Sequence, residues 1–407
     1  MNNDLDFLLN RQKKPFGLGV ELRSFALEKA QQVRAYHRKF PEYSPTPLVP
    51  LPNLAKSLGL AQILVKDESK RFGLNAFKVL GGSYAIGRIL AERLDCRIED
   101  LDMDGLRSGA LDNKIGGLTF ATATDGNHGR GVAWTARQFR SRAVVFMPKG
   151  SAEIRAENIR ATGAECHVTD LNYDDAVRLA SRKAAENGWI MVQDTAWEGY
   201  EDIPRWIMQG YMTLAVEALE QLREAGTSGP SHMFLQAGVG SFAGAALGFF
   251  AAALGGRTPA TVIVEPTRAD CIRRSLAAGD GRPRSVSGDL ATIMAGLACG
   301  EPSTVSWGVI RDYATAGLSC ADHLAANGMR ILAAPLPGDP AVVSGESGAA
   351  TCGVLESLCS DPEKESLRKE LGLGKDSTVL LVSTEGDTSP EIYRDVVWRG
   401  RYPEPGR

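Results

Sequence analysis

Short apolar runs alternate with stretches of helical periodicity along most of the chain. Ile63–Val65, Gly117–Ala123, Ala143–Met147, Cys166–Thr169, Trp189–Val192, Met233–Gln236, Val262–Val264 and Val379–Val382 each read as a short apolar strand. Helices are expected between them, over Ala152–Ala161, stopping at Gly163, and over Asp174–Asn187, stopping at Gly188. Glycine just past a helix is an ordinary stop, because it enters the left-handed region without strain. Strands of this length alternating with helices predict a parallel α/β sheet. The block Gly117–Val192 carries four strands and three intervening helices, enough for a small sheet of its own. Ala278–Gly288 and Ala334–Gly345 read as loops. There is no internal repeat and no low-complexity tract.

Composition narrows the class. The chain has 407 residues, 43% hydrophobic and 23% charged, which suits a globular protein of two or more packed domains. A net charge of −3 gives no electrostatic case for nucleic acid. The seven cysteines (96, 166, 271, 299, 320, 352 and 359) form no C-x-x-C pair, and their odd count argues against a disulfide framework or a structural zinc site. His37, His167, His232 and His323 show no metal-ligand spacing, so no metal is expected. Met1–Gly17 is polar and basic and lacks the apolar core of a signal peptide. Phe242–Leu254 is too short and too rich in small residues to span a membrane. The expected compartment is the cytoplasm.

Four local patterns carry candidate chemistry. Thr124-Asp125-Gly126-Asn127-His128-Gly129 follows a strand and precedes a helix with Val132, Ala136 and Phe139 on one face. Free amides at such a turn seat an anion. Asp125 would repel that anion unless it acts on a nearby cation or proton. As a simple helix cap it needs no chemistry, and on this run alone both readings stand. Gln236-Ala237-Gly238-Val239-Gly240-Ser241 joins the strand Met233–Gln236 to an apolar helix, and its amides, with the Ser241 hydroxyl, suit a phosphate. A dinucleotide also fits, through Gly238, Gly240, Ala243 and the strand-end Glu265, and so does a tight turn with no ligand. Lys78 lies in Asn75–Ser83, an apolar neighbourhood at a helix start. Burial would lower its pKa and keep it a neutral nucleophile; an isolated lysine would instead pack its stem and keep its head in water. Ser383-Thr384-Glu385-Gly386-Asp387 places hydroxyls at a strand end.

Taken together, these are the parts of a pyridoxal phosphate site: a lysine for the aldehyde, a cradle for the phosphate, Asn127 for the ring hydroxyl and Thr384 for the ring nitrogen. Their chain order resembles the tryptophan-synthase-like, fold type II, pyridoxal phosphate enzymes. Phe77-Lys78-Val79-Leu80-Gly81-Gly82-Ser83-Tyr84 resembles the cofactor-lysine motif of the diaminopropionate ammonia-lyase family. Thr124–Gly131, Gln193–Tyr200, Gln236–Gly244, Met294–Leu297, Gly345–Ala349 and Ser383–Thr388 look like that family too, with no departure at a motif position. Asp125 is the discriminating element, since threonine dehydratases and cysteine synthases usually carry a small uncharged residue there.

The resemblance implies an α/β fold of two domains with mainly parallel sheets flanked by helices. The larger, cofactor-binding domain would comprise residues 1–88 and 199–407, and the smaller one residues 89–198 with the asparagine turn. It implies α,β-elimination of ammonia from 2,3-diaminopropionate, D and L, in amino-acid catabolism, giving pyruvate and two ammonia. Lys78, Asp125 and Asp194 would be catalytic; since two enantiomers present their Cα–H bonds to opposite faces of the cofactor, Lys78 is expected as the base for the L form and Asp125, beside Asn127, for the D form. Gly238, Val239, Gly240, Ser241, Asn127 and Thr384 would hold the cofactor. Thr124, Asp125, Gly126, His128, Tyr173 and Asp194 would meet the substrate. Without the resemblance, Asp194 reads as a turn cap, Tyr173 as a packed aromatic and His128 as a residue that orients the turn. A homodimer is expected, with a small amino acid as the binding partner. The alternatives are a serine or threonine dehydratase or a β-replacement synthase of the same fold, and a nicotinamide-dependent oxidoreductase using Glu265.

Overall fold

Strands that are apolar on both faces need cover on both faces, and helices supply it here. The computed structural model describes residues 4–405. Its strands are β1 (Leu5–Leu9), β2 (Leu48–Pro50), β3 (Gln62–Asp67), β4 (Thr119–Ala123), β5 (Arg142–Met147), β6 (Glu165–Val168), β7 (Ile190–Met191), β8 (His232–Gln236), β9 (Ala260–Pro266), β10 (Ala316–Cys320) and β11 (Thr378–Ser383). Seven of them make one sheet in the order β1-β10-β9-β8-β11-β3-β2, and four make a second in the order β6-β5-β4-β7. The smaller sheet is parallel throughout. The larger is parallel except for the antiparallel edges β1 and β2. This is the two-sheet α/β architecture that the sequence predicts.

All four strands of the smaller sheet lie between Thr119 and Met191, inside the segment expected as the smaller domain. The helix Val79–Arg93 packs on the helices Asp202–Glu224 and Asn127–Gln138 and so runs between the two sheets. Its approach to Asp202–Glu224 is backbone-close. A Cβ on Gly210 would stand 2.3 Å from the Leu80 carbonyl oxygen, so only glycine lets the helix carrying the Lys78 segment sit this deep. The helix Ser241–Leu254 is apolar nearly all round and lies buried in the core, as a helix without a polar face must. No helix among the described residues is long and apolar enough to cross a membrane.

Candidate active site

Ligands of parallel α/β sheets sit beyond the carboxyl ends of the strands. Here the turns after β4, β8 and β11, Lys78 just before the helix Val79–Arg93, and Asp194 past β7 wall one cavity. It brings together Lys78, Thr124, Asp125, Asn127, His128, Tyr173, Asp194, Gly238, Val239, Gly240, Ser241 and Thr384. Gly126 lies in the same turn but does not line the cavity.

Lys78 forms an ion pair with Asp194, whose side chain is 2% exposed while that of Lys78 is 19% exposed. Burial works against the lysine's charge, but Asp194, with Tyr211 and Asp125, outweighs it and raises its pKa. Burial alone would favour the neutral lysine expected above; Asp194 shifts the balance toward the charged amine. Burial likewise opposes the Asp194 charge, yet Lys78 and His128 bring its carboxyl down to about 2. Asp194 Oδ1 also accepts from the Tyr173 hydroxyl (3.2 Å) and from Gln193 Nε2 (3.2 Å). Gln193 is fixed in turn by Thr122 and by the backbone of Ala123. His128 Nε2 lies 2.8 Å from the Val192 carbonyl, which makes it the protonated nitrogen, and burial keeps the ring below its usual pKa. That leaves Nδ1 as a buried acceptor with no hydrogen-bond partner, 4.0 Å from Asp194 Oδ2.

The loop after β8 fits a phosphate. Among the described residues, the amides of Gly238, Val239 and Gly240 donate to no protein acceptor, and the helix Ser241–Leu254 adds its dipole. Gly240 has φ +92°, and a Cβ there would meet Ile272, Ile310 and Ser306 at 2.9 Å. A Cβ on Gly238 would meet Cys299 Sγ at 2.9 Å. The loop can exist only with bare backbone at these two places, and that leaves its amides open. The Ser241 hydroxyl donates to the Asp194 carbonyl, so the loop's own contribution there is the amide. Gln236 Nε2 donates to Thr384 Oγ1 at 2.9 Å, which leaves the threonine's own proton to donate into the cavity. Asn127 Nδ2 donates to Glu385.

Asp125 is paired. Arg155 Nη1 donates to its Oδ2 at 3.0 Å, and Arg155 Nη2 lies 3.5 Å from Glu346 Oε1. Burial pushes the Glu346 carboxyl up to about 7, with Arg155 opposing and Glu385 adding to the rise. Arg155, Glu346, Glu385, Gln193 and Gln236 were not singled out from the sequence. Gln193, Gln236, Glu346 and Glu385 all lie inside the motif runs, which assign them no role of their own; Arg155 carries no local signal. The dinucleotide reading loses its anchor. Glu265 is buried and accepts from the amides of Ile272 (2.8 Å) and Arg273 (2.7 Å), so it caps the helix Cys271–Ala278 and does not line the cavity.

The family model described as pyridoxal-phosphate dependent enzyme matches residues 39–385. The diaminopropionate ammonia-lyase of Salmonella typhimurium is 54% identical over 402 residues, covering 98% of this chain and 100% of its own. Two crystal structures of the Escherichia coli diaminopropionate ammonia-lyase are similar at 50% identity, each covering 98% of both chains. One is in complex with an aminoacrylate-PLP azomethine reaction intermediate (TM-score 0.89), and the other with D-serine (TM-score 0.91). With its Lys78 motif, its phosphate loop and this extent of identity, the chain belongs to the diaminopropionate ammonia-lyase family of pyridoxal-phosphate-dependent enzymes.

Proposed function

We propose that this protein eliminates ammonia from D- and L-2,3-diaminopropionate, consuming water and yielding pyruvate and two ammonia. The observation that carries the reading is the pair of carboxylates, Asp125 and Asp194, on the wall that also holds Lys78 and the glycine loop. A substrate with one amino group and a carboxylate has no use for two anions there. A substrate with a second ammonium does.

When bound, pyridoxal phosphate supplies an aldehyde that captures the amine and a ring that takes up charge released at Cα. Lys78 is the residue for the aldehyde, the loop 238–241 for the phosphate, Asn127 for the ring hydroxyl and Thr384 for the ring nitrogen. A hydroxyl that donates there leaves the ring nitrogen unprotonated. The sink is then weaker, which favours prompt loss of the β-substituent over a long-lived carbanion. With Lys78 given to the aldehyde, Asp194 is left to pair with the substrate's distal ammonium. Tyr173 and Gln193 hold Asp194 still while the partner changes. His128 Nδ1 offers the ammonium a further acceptor. The leaving amine must depart protonated, and these groups keep it so.

With the cofactor bound, Lys78 would be the base for the isomer whose Cα proton faces it. Asp125, beside Asn127, is the base we assign to the other face and therefore to the D isomer. We further propose the smaller domain as residues 89–198, a cytoplasmic location and a homodimer. The test of the reaction is stoichiometry: diaminopropionate should give two ammonia per pyruvate, faster than serine or threonine gives one. Preference for serine would move the assignment to a dehydratase. For the faces, Asp125→Asn should cost about a hundredfold or more on the D isomer and less on the L isomer. Equal losses would make Asp125 a binding group.

A further inference from the structure

Arg155 belongs to the helix Glu153–Arg160, which lies over the smaller sheet. Each nitrogen of its guanidinium faces a different segment. Nε donates to Ser389 Oγ at 2.9 Å, Nη1 donates to Asp125 Oδ2 at 3.0 Å, and Nη2 faces Glu346 Oε1 at 3.5 Å. Ser389 lies past β11 of the larger sheet, and Glu346 opens the helix Glu346–Ser360. Asp125 follows β4 of the smaller sheet. One buried fork therefore ties three separate pieces of chain across the junction of the two sheets. Asp125 walls the active-site cavity and also a wider cleft that Arg155 and Glu346 line. The fork is incomplete at Glu346. Arg155 Nη2 and Glu346 Oε1 are both buried without a hydrogen-bond partner, since 3.5 Å is too long for one.

We infer that Arg155 is a positioning residue: it holds Asp125 by Oδ2, leaves Oδ1 to the substrate, and takes its own bearing from Ser389 and Glu346 across the sheet junction. A planar guanidinium with fixed donors can grip three directions at once, and an ammonium cannot. Asp125 then faces the substrate in one orientation only while the two sheets are seated. The inference rests on the reading that Asp125 meets the substrate.

A double-mutant cycle on the holoenzyme tests it, with kcat and KM read separately on D- and L-diaminopropionate. Arg155→Gln should lower kcat/KM on the D isomer by about a hundredfold, the scale of a misplacement near 1 Å, mainly through kcat. Placed in an Asp125→Asn background, the same change should cost nothing further. Arg155→Lys should recover only part of the loss. Should Arg155→Gln fail to fold, Ser389→Ala carries the test, because it removes only the Nε anchor. It should cost a few-fold on the D isomer, and that loss should vanish in the Asp125→Asn background. Losses that multiply in the double variants would overturn the inference, as would an Arg155→Gln loss equal on both isomers beside a D-selective Asp125→Asn. If Asp125→Asn itself strikes both isomers equally, the base assignment fails, and the multiplication test still reads whether Arg155 works through Asp125.

Discussion

Two interior lysines make opposite use of the same pairing. Lys66 lies on β3 with its side chain wholly buried, and its ammonium donates to the Thr46 carbonyl (2.6 Å), Glu217 Oε2 (2.8 Å) and Gln221 Oε1 (2.9 Å). Glu217 also takes Arg71, which in turn holds Glu68. Every proton of Lys66 is committed, and the cluster locks β3 to the helix Asp202–Glu224. Burial lowers the Lys66 pKa despite its acidic neighbours. Lys78 meets a single carboxylate at the edge of an open cavity, and its pKa is raised. The lysine we assign to the cofactor is thus the one whose partner holds its charge. What separates machinery from mortar here is spare valence: Lys78 can exchange its partner, and Lys66 has nothing left to exchange.

The sharpest break of this comparison is covalent. Lys78→Ala should lose turnover by about a thousandfold or more. Borohydride reduction and peptide mapping of the unmutated holoenzyme should place the pyridoxyl label on Lys78, and a label on Lys66 or Lys70 would reverse the two roles. Next in size is Glu217→Ala. It strips Lys66 of its paired carboxylate and Arg71 of one of two, and chemical denaturation should show a loss of about 3–5 kcal/mol. If the variant folds, the label should still map to Lys78.

Acid should weaken both sites, for burial opposes the Glu217 charge too, yet Arg71 and Lys66 bring that carboxyl down to about 2. Asp194 titrates at about 2 in the folded chain, below its ordinary value of 3.8. Its contribution is therefore complete above about pH 4 and drains away as the pH falls toward 2, an effect on the order of 2 kcal/mol. Asp194→Asn should flatten that part of the stability curve, and an unchanged curve would mean that Asp194 does not titrate there. The smallest effect expected is that of Tyr173→Phe. It removes one hydroxyl from Asp194 and should cost about 1 kcal/mol, a few-fold in kcat/KM. A loss as large as that of Lys78→Ala would give Tyr173 a proton-transfer role of its own.

The sequence disclosed what was local. β3, β4, β5, β8, β9 and β11 are legible because strands buried on both faces are continuous apolar runs. β1 is not, because Leu5–Leu9 carries Asp6 within a polar terminus and owes its existence to pairing with β10. β2 holds Pro50, tolerable only at a sheet edge. β10 reads Ala-Gly-Leu-Ser-Cys, too small and mixed to stand out. The site shows the same division. Strand-turn-helix motifs announce Lys78, Asn127, Gly238 and Thr384 from a few residues each. The charge on Lys78 depends on Asp194, 116 residues away, and the orientation of Asp125 on an arginine whose anchor Ser389 is 234 residues distant. No window on the chain contains those pairs.

The larger sheet imposes an order of events on synthesis. β11 is inserted between β8 and β3, and its continuation pairs with the segment that precedes Lys78: Phe77 donates to the Thr384 carbonyl at 3.1 Å and Gly386 to the Asn75 carbonyl at 3.0 Å. A ribosome that has finished β3 must add about 300 more residues before β11 emerges, tens of seconds at roughly 5–20 residues per second. Throughout that interval the nascent sheet keeps a central slot open, and its reactive lysine is not yet seated. Until β11 arrives, the wall that it shares with the Lys78 segment cannot close.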